Sequence, residues 1–287
     1  MLQSIPFVLV GVFASALVQQ YLTGQIVARW LPRQPLAAVL VGSVCGLVVP
    51  VCDCGVIPLA RRLTVKGVPV YAALTFLLAA PVVNPIVLSA TALAFLGNIG
   101  VVVLRVAMTL SVAICVGLLA STLFPDARLR LPVLAQPIDP EKDAETPSPA
   151  RARAATIVRE ASAEFFDIFF FVVLGGLFTA VTQTFVPRSE LAAFGARPVV
   201  SVLTLMPVAS VLSICSEADA FVARAFANTF SPGSVLAFMT IGQIVDLRNG
   251  LLLFRTLGPR LVALIVGVGY GLVLLEGVAL NILLARP

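Results

Sequence analysis

Apolar residues run almost without interruption through eight stretches of the chain: 4–22, 35–60, 68–97, 99–124, 162–186, 197–223, 233–256 and 260–284. Each is close to or above the ~20 residues a helix needs to cross the hydrocarbon of a bilayer. The pattern predicts an all-α polytopic membrane protein of about eight transmembrane segments, four on either side of a polar stretch. That stretch, 125–158, is rich in Pro, Ala and charge and carries no apolar helical period, so it reads as a loop. The expected organisation is a first transmembrane repeat at 1–124, a polar linker at 125–158 and a second repeat at 159–287.

The two halves read as copies. Shifting the sequence by 163 positions pairs Pro35 with Pro198, Cys52 with Cys215, Arg61 with Arg224 and Pro69 with Pro232. A shift of 164 pairs Gly11 with Gly175 and Gln19 with Gln183. A shift of 162 pairs Phe76 with Phe238 and sets Asn84 opposite Asp246. Chance similarity between apolar helices explains matched Val and Leu, but poorly explains Pro, Cys, Arg and Pro in one register. Duplicated halves are a transporter signature, with substrate bound near the midplane where discontinuous helices meet. Four clean spans per half would make the repeats parallel; a re-entrant hairpin in each half would make them inverted.

Helix breaks are expected near the midplane. Pro50 and Pro58 bracket VCDCGVI, with Gly55 between them, and Pro81 and Pro85 frame VVN in AAPVVNP. A mid-segment proline removes a backbone donor and clashes with the preceding turn. In lipid, the freed backbone groups must be covered by protein or line a wet cavity. Simple kinks are the plainer alternative.

Composition sharpens the class. The chain is 60% hydrophobic and 11% charged, against about 25% charged in soluble domains, so the bilayer must be its solvent. No histidine is present, which excludes Ser-His catalysis, His-ligated zinc and haem attachment. The net charge of +5 does not indicate nucleic acid, because the cations sit at the ends of apolar runs and in the linker. The N-terminal apolar run lacks a basic n-region and reads as a first transmembrane helix rather than a signal peptide. Placing the linker and Arg61, Arg62 and Lys66 in the cytoplasm puts both termini inside in an eight-span topology, and leaves Arg29, Arg33, Arg188 and Arg197 outside.

Candidate chemistry lies in three places. Cys52 and Cys54 could hold a soft ion such as Cu(I), Cd(II) or trivalent arsenic, with Asp53 adding a hard oxygen. Cysteine is also a small apolar filler, so packing, thiol ligation and redox chemistry all remain open. Cys215 occupies the equivalent place in the second half and completes a candidate metal set of Cys52, Cys54 and Cys215. Asn84 sits within the second break. Glu217, Asp219, Asp246 and Asn249 are polar groups inside apolar segments, where charge is costly and is therefore paired or functional. Pairing with Arg224 or Arg248 is the structural alternative for the carboxylates. Arg105 and Glu276 call for partners or an interface.

Together, PVCDCGVIPLARRLTVKG, AALTFLLAAPVVNP, CSEADAFVARAF and GQIVDLRN resemble the predicted-permease family that includes the ArsP-type organoarsenical efflux permeases. The likeness runs through nearly the whole chain. It implies an eight-segment inner-membrane permease with a central cytoplasmic loop, and a family pattern falling on Cys52, Cys54, Gly55, Pro58, Pro81, Asn84, Cys215, Asp219, Asp246 and Asn249. Asp53 stands where the family usually has Ser, and Gly242-Gln243 where Gly-Pro is common; the extra carboxylate favours a cationic metal over an organoarsenical. The expected function is secondary-active export of a soft metal, metalloid or small thiol-reactive compound between the repeats. The expected partners are the bilayer, that substrate, a proton as coupling ion and a further copy of the chain. No cofactor, nucleic acid or enzymatic activity is expected, and the chain holds no Walker A sequence. A passive channel and a membrane thiol-redox protein are the alternatives.

Overall fold

The computed structural model describes residues 34–46, 56–57, 59–60, 63–64, 67–124, 198–214, 216–227 and 229–284. The regular elements among the described residues are all α-helices: α1 (Pro35–Cys45), α2 (Val70–Ala79), α3 (Pro85–Ala94), α4 (Ile99–Leu123), α5 (Pro198–Leu212), α6 (Ser216–Phe226), α7 (Pro232–Ile244), α8 (Leu247–Leu257) and α9 (Pro259–Leu284). Among the described residues, α4 and α9 are long and apolar enough to cross a membrane individually, with mean hydropathies of 2.4 and 2.2. The expected segments 4–22 and 162–186, the linker, and the break at Pro50, Gly55 and Pro58 lie outside the described residues.

The expected break in 68–97 is present. After α2 the chain turns through Ala80–Val83, and Asn84 adopts an extended conformation (φ −75°, ψ 133°). Its Oδ1 accepts from the Ile86 amide at 2.9 Å, supplying one donor at the start of α3 with a partner. Pro85 takes the first helical position, where its missing N–H costs nothing. Two further breaks divide 197–223 and 233–256. Ser213, with φ 44°, separates α5 from α6, and Val245 (φ −133°, ψ 94°) separates α7 from α8. Pro207, by contrast, lies inside α5 without ending it.

Side-chain and backbone contacts give the relative directions. Gly42 lies against Ala72, and Gly46 against Ala80 so closely that neither glycine has room for a Cβ; α1 and α2 therefore run parallel. Thr75 of α2 faces Gly117 of α4, and Thr91 of α3 meets Arg105 of α4. Rising numbers on α2 and α3 thus meet falling numbers on α4, so the broken helix runs antiparallel to the long one. Small residues at such contacts let backbones approach closely, as membrane helices require.

The second half repeats these relations. Ser201 hydrogen-bonds Ser231 and Ser234 at 3.0 and 2.6 Å, Gly242 packs on Ala209, and the Leu247 amide donates to Ser213 Oγ at 3.1 Å. Hence α5 is parallel to α7. Gly233 abuts Gly277 and donates to Asn281 Oδ1 at 2.8 Å, whereas Gly269 touches Ile244, so α7 is antiparallel to α9. Between α5 and α7, α6 turns back: Asp219 meets Gln243, while Phe226, seven residues later, meets Phe238. Two turns with left-handed backbone, at Leu96–Gly97 and Gly258, lead into α4 and α9 respectively.

Candidate functional site

The halves meet at a buried polar cluster. Arg105, fully buried on α4, reaches across to the second half, where its Nη2 lies 2.6 Å from Asp219 Oδ2 on α6. Its Nη1 donates to Thr91 Oγ1 at 2.7 Å and approaches Met239 Sδ at 3.9 Å. Gln243 Nε2 donates to the same Asp219 oxygen at 2.7 Å. An arginine at this depth is costly unless paired, and the guanidinium supplies a carboxylate with directed donors. The carboxylate alternative of pairing with Arg224 or Arg248 therefore gives way, for Asp219, to a pair with Arg105. Arg224 instead stacks over the Phe95 ring, 5.9 Å from its centroid.

Around this pair, Arg105 Nε, Ser216 Oγ and Gln243 Oε1 are buried polar atoms with no hydrogen-bond partner among the described residues. Such groups cost free energy unless water, a ligand or further protein reaches them. They cluster where α6 begins, at the tip of the turn from α5. A second contact between the halves joins Ser111 of α4 to Glu276 of α9 through a short hydrogen bond.

The break between α7 and α8 borders a cavity of about 410 Å³ lined by Ser210, Val211, Val245, Asp246, Leu247 and Phe254 among others. Asp246 is 3% exposed and immediately precedes α8, as Asn84 immediately precedes α3. Ser210 Oγ is within 2.7 Å of the Tyr270 hydroxyl, which fixes one wall against α9. The cavity is apolar apart from these oxygens, the usual character of a small-molecule site.

Of the sequence-predicted residues, Asp219 on α6 meets Gln243 near the end of α7, and Asp246 lies in the break that follows α7. Asn84 is buried in a capping role. Glu217 and Asn249 are on α6 and α8, and their side chains lie outside what the structure describes. Cys52, Asp53, Cys54 and Cys215 lie outside the described residues, as do Pro50, Gly55 and Pro58. Pro81 and Pro85 flank the α2–α3 break. Cys45 and Cys115 are free thiols, exposed and half-buried respectively. Among the described residues no three Cys, Asp or Glu side chains gather as a metal site. The main addition to the site is Arg105. Its signal was a lone cation within 25 otherwise uncharged residues, lacking only a partner to aim at.

A broken-helix bundle that buries an ion pair and borders a largely apolar cavity, in a chain this apolar, defines an integral membrane permease. The chain belongs to the family described as "Predicted permease" (ArsP type), which matches residues 1–282. It is 37% identical over 266 residues to the UPF0718 protein YcgR of Bacillus subtilis, covering 93% of this chain and 89% of that protein. It is 32% identical over 266 residues to a putative two-component membrane permease complex subunit of Streptococcus mutans, covering 93% and 87%. No solved structure matches.

Proposed function

We propose that this permease is a secondary-active exporter of the bacterial cytoplasmic membrane, not an enzyme. Its substrate is a soft metal, a metalloid such as a trivalent arsenical, or a small thiol-reactive compound. The observation that carries this reading is the cavity at the α7–α8 break, with Asp246 and Ser210 in an otherwise apolar wall. A broken helix beside a cavity is the arrangement in which transporters hold substrates and coupling ions. Cys52, Cys54 and Cys215 are the proposed soft ligands. Their chemistry suits soft acceptors.

The two carboxylates take different roles in this reading. Asp219 is held by Arg105 and Gln243, so it joins the halves. Asp246, on the cavity wall, is the group that meets substrate or exchanges the coupling proton. Duplication is part of the proposal, supported by the pairwise likeness of α1, α2, α3 and α4 to α5, α7, α8 and α9 in order, direction and packing.

The test measures accumulation of arsenicals, antimonials, copper, cadmium and zinc in cells expressing the native chain, Cys52→Ser, Cys54→Ser and Asp246→Asn. The native chain should lower accumulation of at least one, and each variant should raise it. Unchanged transport by both cysteine variants would remove thiol ligation, and unchanged transport by Asp246→Asn would remove the carboxylate from the mechanism.

A further inference from the structure

The directions of the helices carry a consequence for how the chain crosses the membrane, given that it is a membrane permease. In the second half α5 and α7 are parallel with α6 returning between them. At 1.5 Å per residue, the 11 residues of α6 extend about 16 Å, roughly half of a ~30 Å hydrocarbon core. A segment this short cannot bring the chain back across the bilayer, so α5 and α6 form a hairpin that enters and leaves by one face. In the first half α1, also 11 residues, runs parallel to α2, and the chain between them likewise has to return to the face where it started. Val56, Ile57, Leu59 and Ala60, the counterparts of α6 under the 163-residue shift, are helical and buried on this return path.

The faces of entry follow from contacts between the halves. Arg105 touches both Thr91 of α3 and Asp219 of α6, and further along the same two helices Phe95 meets Arg224. So α3 and α6 run parallel. The end of α3 is the far side of the membrane from the start of α1, whereas the end of α6 is the side from which α5 entered. The two hairpins therefore enter from opposite faces.

We infer that the chain has six full crossings and two opposed re-entrant hairpins, its halves related by inversion rather than by parallel repetition. Among the described residues the crossings are α2–α3, α4, α7–α8 and α9, and the apolar runs 4–22 and 162–186 are the two expected from sequence. The linker then lies on the opposite face from both ends of the sequence, in contrast to the eight-span expectation, which put all three together.

Charge supports this arrangement independently. It gathers Arg29, Arg33, Arg61, Arg62 and Lys66, the linker cations, Arg255 and Arg260 on the face of the linker. Arg188, Arg197, Arg224 and Arg286 are left for the other face. Cations concentrate in cytoplasmic loops, so the linker is cytoplasmic and residues 1 and 287 face outward. The eight-span topology had to place Arg29 and Arg33 outside; this one does not.

The test compares Lys66→Cys, beside the exposed turn at Gly67, with Thr229→Cys in the exposed turn after α6. Both are labelled with a membrane-impermeant maleimide and read above the native chain's background. Thr229→Cys should label in intact cells and Lys66→Cys only after permeabilisation; labelling of both from one side overturns the inversion. A phosphatase fused after Pro287 and a fluorescent protein placed in the linker give a second reading that needs no change within the helices. Active phosphatase together with a fluorescent linker supports the inference, and an inactive phosphatase with a fluorescent linker overturns it. Release of the chain by alkaline carbonate would instead overturn the membrane permease reading beneath it.

Discussion

Residues 35–123 and 198–284 each pack a short helix on the first part of a broken one and then on a long one, but they bury polar groups of opposite kinds. The first half contributes a cation, Arg105, and a neutral amide at its break, Asn84. The second contributes Asp219, Glu276 and, at its own break, Asp246. A common packing plan thus supplies the frame, and divergence at a few positions makes the halves complementary in charge. The halves attract across their interface through Arg105 and Asp219. The difference also separates two settings that a sequence cannot tell apart: one carboxylate pairs with a cation across the halves, and the other lines a cavity.

The largest test of that comparison is to remove the join. Arg105→Ala removes the cation beside a buried carboxylate, and Asp219→Ala removes the carboxylate beside a buried guanidinium. Losing one member of a buried pair costs about 3–5 kcal/mol, so each variant should unfold at a much lower temperature in detergent. Replacing both, as Arg105→Met with Asp219→Leu, should recover much of that loss, because well-packed apolar residues often substitute for a buried pair. A double variant no more stable than the single ones would show that the two groups do not act together.

The next test asks whether the two breaks are equivalent in function. Asp246→Asn makes the second break resemble the first. Transport of the responsive substrate should fall by about tenfold or more, the ~1.5–3 kcal/mol of a charged hydrogen bond. Equal transport by this variant would make the two breaks interchangeable and end the contrast.

Packing offers a smaller and more symmetrical test. Gly46 against Ala80 and Gly233 against Gly277 are the close approaches at which α1 meets α2 and α7 meets α9. A side chain at either position must displace backbone, and overpacking of this kind costs about 1–3 kcal/mol. Gly46→Ala and Gly233→Ala should therefore both lower thermal stability. Tolerance at one position alone would show that the likeness of the halves does not extend to how tightly they are packed.

The parts of this fold that could be read from sequence were those where residue chemistry dictates the backbone. Pro81, Asn84 and Pro85 state the first break openly, since prolines remove donors and Asn84 can cap the helix that follows. The breaks at Ser213 and Val245 carry no proline or glycine, and Pro207, which would suggest a break, sits inside α5. There the backbone follows tertiary contacts, such as Ser213 accepting from Leu247, that no local pattern records. The apolar runs were legible as membrane segments, but their number of crossings was not. A run of 27 residues at 197–223 is long enough to span, and only the parallel course of α5 and α7 shows it doubled into a hairpin. Asp219 and Asp246 were both visible as intramembrane carboxylates; the partner that distinguishes them, Arg105, is more than a hundred residues away.

The smallest expected effect concerns Asn84 itself. Its side chain is 2% exposed and accepts from the Ile86 amide. Asn84→Ala would leave that donor unsatisfied at a buried helix start, at a cost of about 1 kcal/mol. Asn84→Asp keeps the acceptor and adds a negative charge at a helix N-terminus, where the helix dipole favours it. Asp246 shows that the same fold accommodates a carboxylate immediately before the equivalent helix. Thermal unfolding in detergent should accordingly rank the native chain first, Asn84→Asp next and Asn84→Ala last. The reverse order for the two variants would mean that the first break, unlike the second, cannot shelter a charge. The asymmetry between Asn84 and Asp246 would then be imposed by their surroundings, not free for function to choose.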